Sequence, residues 1–198
     1  MLAASRLEYW CTRLVMPDQS VVHCGIGAPE WRPSSQRPAI LVGLAGALGH
    51  DLPSGSVIIP STVVDENGRE FECDQDLVSR MTVAATLLGW LPHHGAMLTS
   101  RSMVSGDRSH FFGGPCVAVD MEAATVAGAI ERFASVRVVL DTPSRPISNH
   151  WLQPSRAVRQ PRLWSELLWL LWAAPQYAVR AARVVDMGLR VPDLRRGR

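Results

Sequence analysis

The chain reads as an α/β protein built on a mixed, mostly parallel sheet, and three observations carry that reading. Short apolar or β-branched runs alternate with helical stretches along residues 1–141. Ala39-Ile40-Leu41-Val42-Gly43-Leu44 is a continuous apolar run, the pattern of a strand covered on both faces. Pro115 to Ala124 then runs an apolar strand straight into Asp120-Met121-Glu122 and an alanine-rich helix. Acids at such a junction stand at the carboxyl ends of the strands, where open sheets bind ligands. Two readings of this motif stand side by side: both carboxylates face a ligand, or Asp120 caps the helix and Glu122 occupies its first turn.

Taken in order, Ala4 to Val15 has helical spacing, with Leu7, Trp10, Cys11 and Leu14 on one side. Val21 to Cys24 is a brief strand ending in Gly25-Ile26-Gly27, where glycine permits a tight turn or close approach to a ligand. Pro29, Pro33 and Pro38 mark an irregular connection to the apolar strand 39–44, which opens into small residues through Gly49. Ser56 to Ile59 is a short strand, and Val63 to Phe71 reads as a hairpin with Asn67-Gly68 as a two-residue turn. Asp76 to Leu88 is helical, Gly95 to Val104 a strand, and Ser105-Gly106-Asp107 a polar turn. After the strand Val117 to Val119, a helix is expected from Met121 to Phe133, then a strand from Val136 to Leu140 that ends at Asp141-Thr142-Pro143. Pro143 to Pro161 reads as a long loop, and Arg162 to Val185 as an apolar helix bearing Trp164, Trp169 and Trp172. Residues 1–150 form one unit, and 151–198 a C-terminal loop and Trp-rich helix that packs on the same domain or on a partner.

Composition narrows the classes. The 198 residues suit one domain, and 47% hydrophobic content supplies a substantial core. Twenty Lys and Arg against 18 Asp and Glu give a net charge of +2, too balanced to suggest nucleic acid as a partner. Cys11, Cys24, Cys73 and Cys116 form no C-x-x-C pair, and the six histidines lack i, i+4 spacing, so neither zinc nor disulfides are expected. No basic segment followed by an apolar run opens the chain, and the expected location is cytoplasmic. Glu166 and Pro175 interrupt the C-terminal apolar run, which argues against a spanning helix. Tryptophans with arginines nearby also suit a helix lying on a membrane surface.

Three motifs in order carry a family resemblance: the strand into Gly43-Leu44-Ala45-Gly46-Ala47-Leu48, the turn Val104-Ser105-Gly106-Asp107, and Val119-Asp120-Met121-Glu122-Ala123-Ala124. Together they resemble the purine nucleoside phosphorylase and nucleosidase superfamily, nearest the methylthioadenosine/S-adenosylhomocysteine nucleosidases, with a layout also similar to hopanoid-associated members that act on adenosylhopane. The resemblance spans Leu2 to Ser148. It implies a three-layer α/β/α phosphorylase-like fold and cleavage of a purine N-glycosidic bond, with hydrolysis favoured.

By that resemblance Glu122 accepts hydrogen bonds from ribose hydroxyls while Met121 packs on the sugar, and Asp141 is the acid toward N7 of the leaving purine. Glu8 matches the glutamate that positions the attacking water, with an exposed helical residue as its alternative reading. Breaking an N-glycosidic bond leaves negative charge on the base and oxocarbenium character on the sugar, so an acid at one end and an anion at the other suit it. Gly25, Gly27, Gly43, Leu44, Gly46 and Ser105 complete the substrate-binding set.

Four departures bear on mechanism. The strand before the early glutamate is reduced to Met1-Leu2-Ala3, which implies either a missing first strand or a start further upstream. Leu44 and Leu41 stand where phosphorylases place a serine or threonine and an arginine for phosphate, which favours water unless Arg32, Arg37 or another arginine supplies the contact. Ser109 stands where the nucleosidases carry a base-stacking aromatic, with Phe111 or Phe112 as substitutes. Leu140 replaces the serine that precedes the aspartate. The expected small-molecule partner is a purine nucleoside, with no cofactor, inorganic phosphate as the alternative co-substrate, a homo-oligomer, and contact with a membrane surface through the C-terminal helix. Phosphate-dependent cleavage and a non-catalytic nucleoside-binding protein are the alternatives.

Overall fold

A computed structural model describes residues 1–28, 37–104, 108–111, 114–152 and 157–192. Its ten strands form one mixed sheet in the order β6 (Glu70–Glu72), β5 (Thr62–Asp65), β8 (Ala96–Thr99), β9 (Cys116–Asp120), β3 (Ala39–Ala47), β10 (Phe133–Asp141), β4 (Val57–Ile58) and β7 (Pro92–His93), with β1 (Leu2–Ala3) paired to β3 and β2 (Val22–His23) paired to β1. At the centre are β3 (Ala39–Ala47) and β10 (Phe133–Asp141), parallel from Phe133 opposite Ala39 onward. The register shifts between Val139 and Asp141, which sets Asp141 opposite Gly46. Such an irregularity re-aims side chains. Both Leu140 and Asp141 thereby reach one cavity at the end of the strand.

β1 (Leu2–Ala3) runs parallel to β2 (Val22–His23) and to β3. Along its far end β3 pairs instead with β9 (Cys116–Asp120), antiparallel, Gly46 opposite Val119. The outer strands are β4 (Val57–Ile58), β5 (Thr62–Asp65), β6 (Glu70–Glu72), β7 (Pro92–His93) and β8 (Ala96–Thr99). The strand expected through Val104 therefore ends five residues early. The β5–β6 hairpin closes on three residues rather than two, because Asp65 pairs with Arg69 and Gly68 takes φ +78°. Asp65 Oδ1 accepts from the Asn67 and Arg69 backbones and fixes that wider loop.

Among the described residues, four α-helices cover the sheet. In α1 (Arg6–Val15), Ser5 and Glu8 form a reciprocal capping box. Asp74 caps α2 (Gln75–Leu87) by accepting from the Asp76 and Leu77 backbones. α4 (Trp164–Arg190) passes through Pro175 without ending, and buries Ala173, Ala174, Ala178, Ala181 and Ala182 against α1, α2, β3 and β10. These small side chains let the helix sit close to the strands, while Arg80 of α2 donates to the Gly188 and Leu189 carbonyls at its far end. α3 (Ala123–Ala127) packs against β5, β8 and β10. The arrangement is the three-layer α/β/α one.

Two further expectations are overturned. The helix after Glu122 stops at Ala127, and Phe133 to Ser135, expected in part as helix, extend β10. Those residues are buried opposite Ala39 to Leu41, and burying a large apolar side chain contributes about 1.5–3 kcal/mol, more than alanine's helix preference. In α1 the buried face is Glu8, Cys11 and Thr12, whereas Leu7, Trp10 and Leu14 point outward.

Candidate active site

A cavity of about 230 Å³ opens where β3, β9 and β10 end, closed on one side by the start of α1. Asp141, Glu8, Met121, Glu122, Leu44 and Gly46, all expected at the site, line it. Gly25, Gly27 and Gly43 do not. Gly27 stands behind the wall, where its backbone N–H donates to Glu122 Oε1 at 3.0 Å. Its φ of +76° is a conformation that favours glycine, so the turn 25–27 presents Ile26 to the cavity and an N–H to the carboxylate. Ser105, Arg32, Phe112 and the Ser109 side chain lie outside the described residues. Phe111 and Arg37 are not on the wall, where the aromatic side chain is Trp151.

The carboxylates converge on an arginine that the sequence reading passed over. Arg137 of β10 is fully buried and ion-pairs with Asp120, with Glu122 Oε2 at 3.0 Å and with Glu8 Oε1 at 3.8 Å. A charged side chain inside Val136-Arg137-Val138-Val139 was the available signal, since a buried strand holds an arginine only when acids meet it. Asp120 is engaged further by Thr99 Oγ1 at 2.8 Å and by the Ala123 backbone, so it belongs to the frame beneath α3. Glu8 is held from both sides: Oε2 accepts from Ser5 N and Oε1 from Leu44 N, each at 2.7 Å. It is buried, not an exposed helical residue.

Three acids around one guanidinium leave the cluster net negative. Burial first, then the Asp120 and Glu8 charges, push the Glu122 carboxyl up to about 7 against the pull of Arg137 and the Gly27 N–H. Arg137 itself is held more firmly charged than usual, the three acids outweighing its burial. Among the described residues no group of three or more His, Cys, Asp or Glu side chains is placed to hold a metal ion.

Asp141 faces the cavity apart from this cluster. Burial raises its carboxyl above the ordinary range, while its ion pair with Arg108 opposes that rise. Arg108 is the second arginine missed, and nothing in the local sequence after Asp107 marks it. Between the two acidic ends the wall is apolar, formed by Leu44, Met103, Leu140, Ile147 and Trp151.

No family model and no curated protein matches the chain by sequence. Its structure is similar to that of the Helicobacter pylori 5′-methylthioadenosine/S-adenosylhomocysteine nucleosidase, with a TM-score of 0.71 at 13% identity over 96% of each chain. The Neisseria meningitidis counterpart, solved with methylthio-immucillin-A, gives 0.71 at 17% identity over 96% of each chain. H. pylori futalosine hydrolase gives 0.72 at 13% identity over 96% of this chain and 95% of that one. The chain shares the fold of these nucleosidases. Within that fold it keeps its acids at the sheet's carboxyl edge and lines the space between them with apolar side chains.

Proposed function

We propose that the protein hydrolyses the N-glycosidic bond of a purine nucleoside or adenosyl conjugate. The observation that carries this reading is the division of acids in one cavity, with Glu8 and Glu122 on the Arg137 cluster and Asp141 apart from them on Arg108. Glu122 accepts from ribose hydroxyls and Met121 packs on the sugar. As the C1′–N9 bond breaks, its electron pair leaves with the base and the Asp141 proton passes to N7. Water adds its oxygen to C1′ and gives a proton to Glu8. A negative cluster under the sugar stabilises its oxocarbenium character, and an acid at the base neutralises the leaving group. Gly46 gives this step room, since a Cβ there would stand 2.9 Å from Asp141 Oδ1.

Water is preferred over phosphate because the arginine on the described wall, Arg108, already serves Asp141 and two carbonyls. The deciding experiment is chromatographic: nucleosides are incubated with and without phosphate. Free base and free sugar in both buffers are expected, and Asp141→Asn nearly abolishes release while leaving the circular dichroism spectrum unchanged. A sugar 1-phosphate formed only with phosphate establishes the phosphorylase alternative, and saturable adenine binding without turnover the non-catalytic one.

A lipid-linked conjugate such as adenosylhopane is the finer reading. Its support is the apolar wall of the cavity together with the outward residues Trp10 and Leu14 of α1 and Trp164, Leu168, Leu171 and Trp172 of α4, each more than half exposed. Such a surface suits peripheral contact of a cytoplasmic protein with a membrane, and no helix among the described residues is long and apolar enough to cross one. Sedimentation with anionic vesicles tests this. Binding lost in Trp164→Ser/Trp172→Ser supports it, whereas a protein that ignores vesicles and forms a stable dimer through the same residues replaces the membrane with a second copy.

A further inference from the structure

Arg108 is 1% exposed, yet it lines the cavity. Its guanidinium joins three parts of the chain: Nη1 donates to the Ala47 carbonyl at the end of β3, and Nη2 to the Val104 carbonyl and to Asp141 at the end of β10. Its Nε has no hydrogen-bond partner among the described residues. Burying a guanidinium costs several kcal/mol of hydration, and an apolar side chain of similar volume fills the same space without that cost. The charge is therefore the feature that needs a reason, and it falls on Asp141.

We infer that Arg108 is a positioning residue of the site: tied to two backbone carbonyls, it fixes the direction of the Asp141 carboxylate and, as its counter-ion, sets the pH up to which Asp141 keeps a proton for the departing base. The inference rests on the nucleosidase reading above. Burial disfavours the Asp141 anion, whereas Arg108 first, and then the backbone N–H groups of Asp141 and Ile147, favour it. The other charged groups nearby are spoken for. Glu8, Asp120 and Glu122 share Arg137. From the segment after β10, Arg145 lies over the Trp169 ring and His150 bonds Ser148. From α4, Arg180 donates to the Gly55 carbonyl and Glu166 accepts from the Ser148 backbone. The ends of β3 and β4 bring no titratable side chain. Among the described residues, the charge beside Asp141 that can be altered without touching the Arg137 cluster is Arg108.

Base release by the wild type is expected to fall as pH rises through the point where Asp141 loses its proton. In Arg108→Leu and Arg108→Gln that falling limb of kcat/KM moves up by at least about one pH unit, a tenfold gain relative to wild type on the limb. Arg108→Lys, which keeps a charge, leaves the limb near its original place. A uniform loss of rate with an unmoved limb makes Arg108 merely structural and overturns the inference. The same titration is read without turnover, as the infrared carboxyl signal that disappears in Asp141→Asn. A higher midpoint in Arg108→Gln supports the inference, and an unchanged one overturns it. A wild type that releases no base defeats the nucleosidase reading separately and leaves this measurement standing.

Discussion

The α-carbon of Gly43 packs against the Glu8 carboxylate with no room for a methyl group between them. A Cβ at Gly43 would overlap Glu8 Oε1 and stand 2.6 Å from Arg137 Nη1. Gly43 thus serves the site from behind the cavity wall, by letting the acid of α1 reach over β3 to the arginine of β10.

Gly43→Ala is therefore expected to displace Glu8 rather than to unfold the chain. Overpacking of this kind costs about 1–3 kcal/mol, and a misplacement of about 1 Å at a reacting group lowers turnover on the order of 100-fold. Urea denaturation and base-release kinetics on the same preparation check this. Loss of activity with a small loss of stability is the expected pair, and unchanged kcat sinks the role given to Glu8.

Arg137→Met should behave in the opposite way. Removing the guanidinium leaves Asp120, Glu122 and Glu8 buried against one another, and breaking a buried ion pair on one side costs about 3–5 kcal/mol. The midpoint of urea unfolding is expected to drop accordingly at neutral pH. It recovers in part under mildly acidic conditions, where the carboxyls take up protons. A methionine variant as stable as wild type at neutral pH contradicts the ion-pair cluster.

Particular residues show how far the sequence carries. The strand at Ala39 to Leu44 was legible because an unbroken apolar run has few other uses, and the ends of β9 and β10 followed from acids set directly after apolar stretches. The helix after Glu122 was overextended because alanine propensity is local, while the pairing of Phe133 with Ala39 is a contact between distant parts of the chain. In α1 the apolar stripe was visible but its direction was not. Glu8, Cys11 and Thr12 turn inward because the capping box and the Leu44 N–H fix Glu8 there. Arg137 was marked only by its charge inside an apolar strand and Arg108 by nothing local, and the acids that explain each are brought near only by the folded sheet.

The pH dependence of stability follows from Glu122. Its carboxyl titrates at about 7 in the folded chain against 4.5 ordinarily, so between those values the folded state holds the proton that the unfolded state has released. Its contribution to stability is complete below the ordinary value and is lost as pH rises through about 7. Glu122→Gln cannot titrate. The melting temperature of the wild type is expected to fall relative to that of the variant across this window, and parallel curves would falsify the assignment.

Mutation separates the capping role of Glu8 from its proposed role as base. As the third residue of the capping box it accepts from Ser5 N, while its own N–H donates to Ser5 Oγ at 3.2 Å. Ser5→Ala removes the hydroxyl cap and costs about 0.5–2 kcal/mol, yet leaves the carboxylate its bonds to Ser5 N and Leu44 N. Base release should then persist near the wild-type rate. Glu8→Gln keeps an oxygen for one of those N–H groups but removes the charge proposed to take the proton from water, so turnover is expected to fall on the order of 100-fold or more. Stability shifts less, because the variant also removes one of three crowded acids. The comparison is made by thermal melting and steady-state kinetics side by side. A Ser5→Ala variant that loses turnover as completely as Glu8→Gln would mean that Glu8 matters as a cap and not as a base.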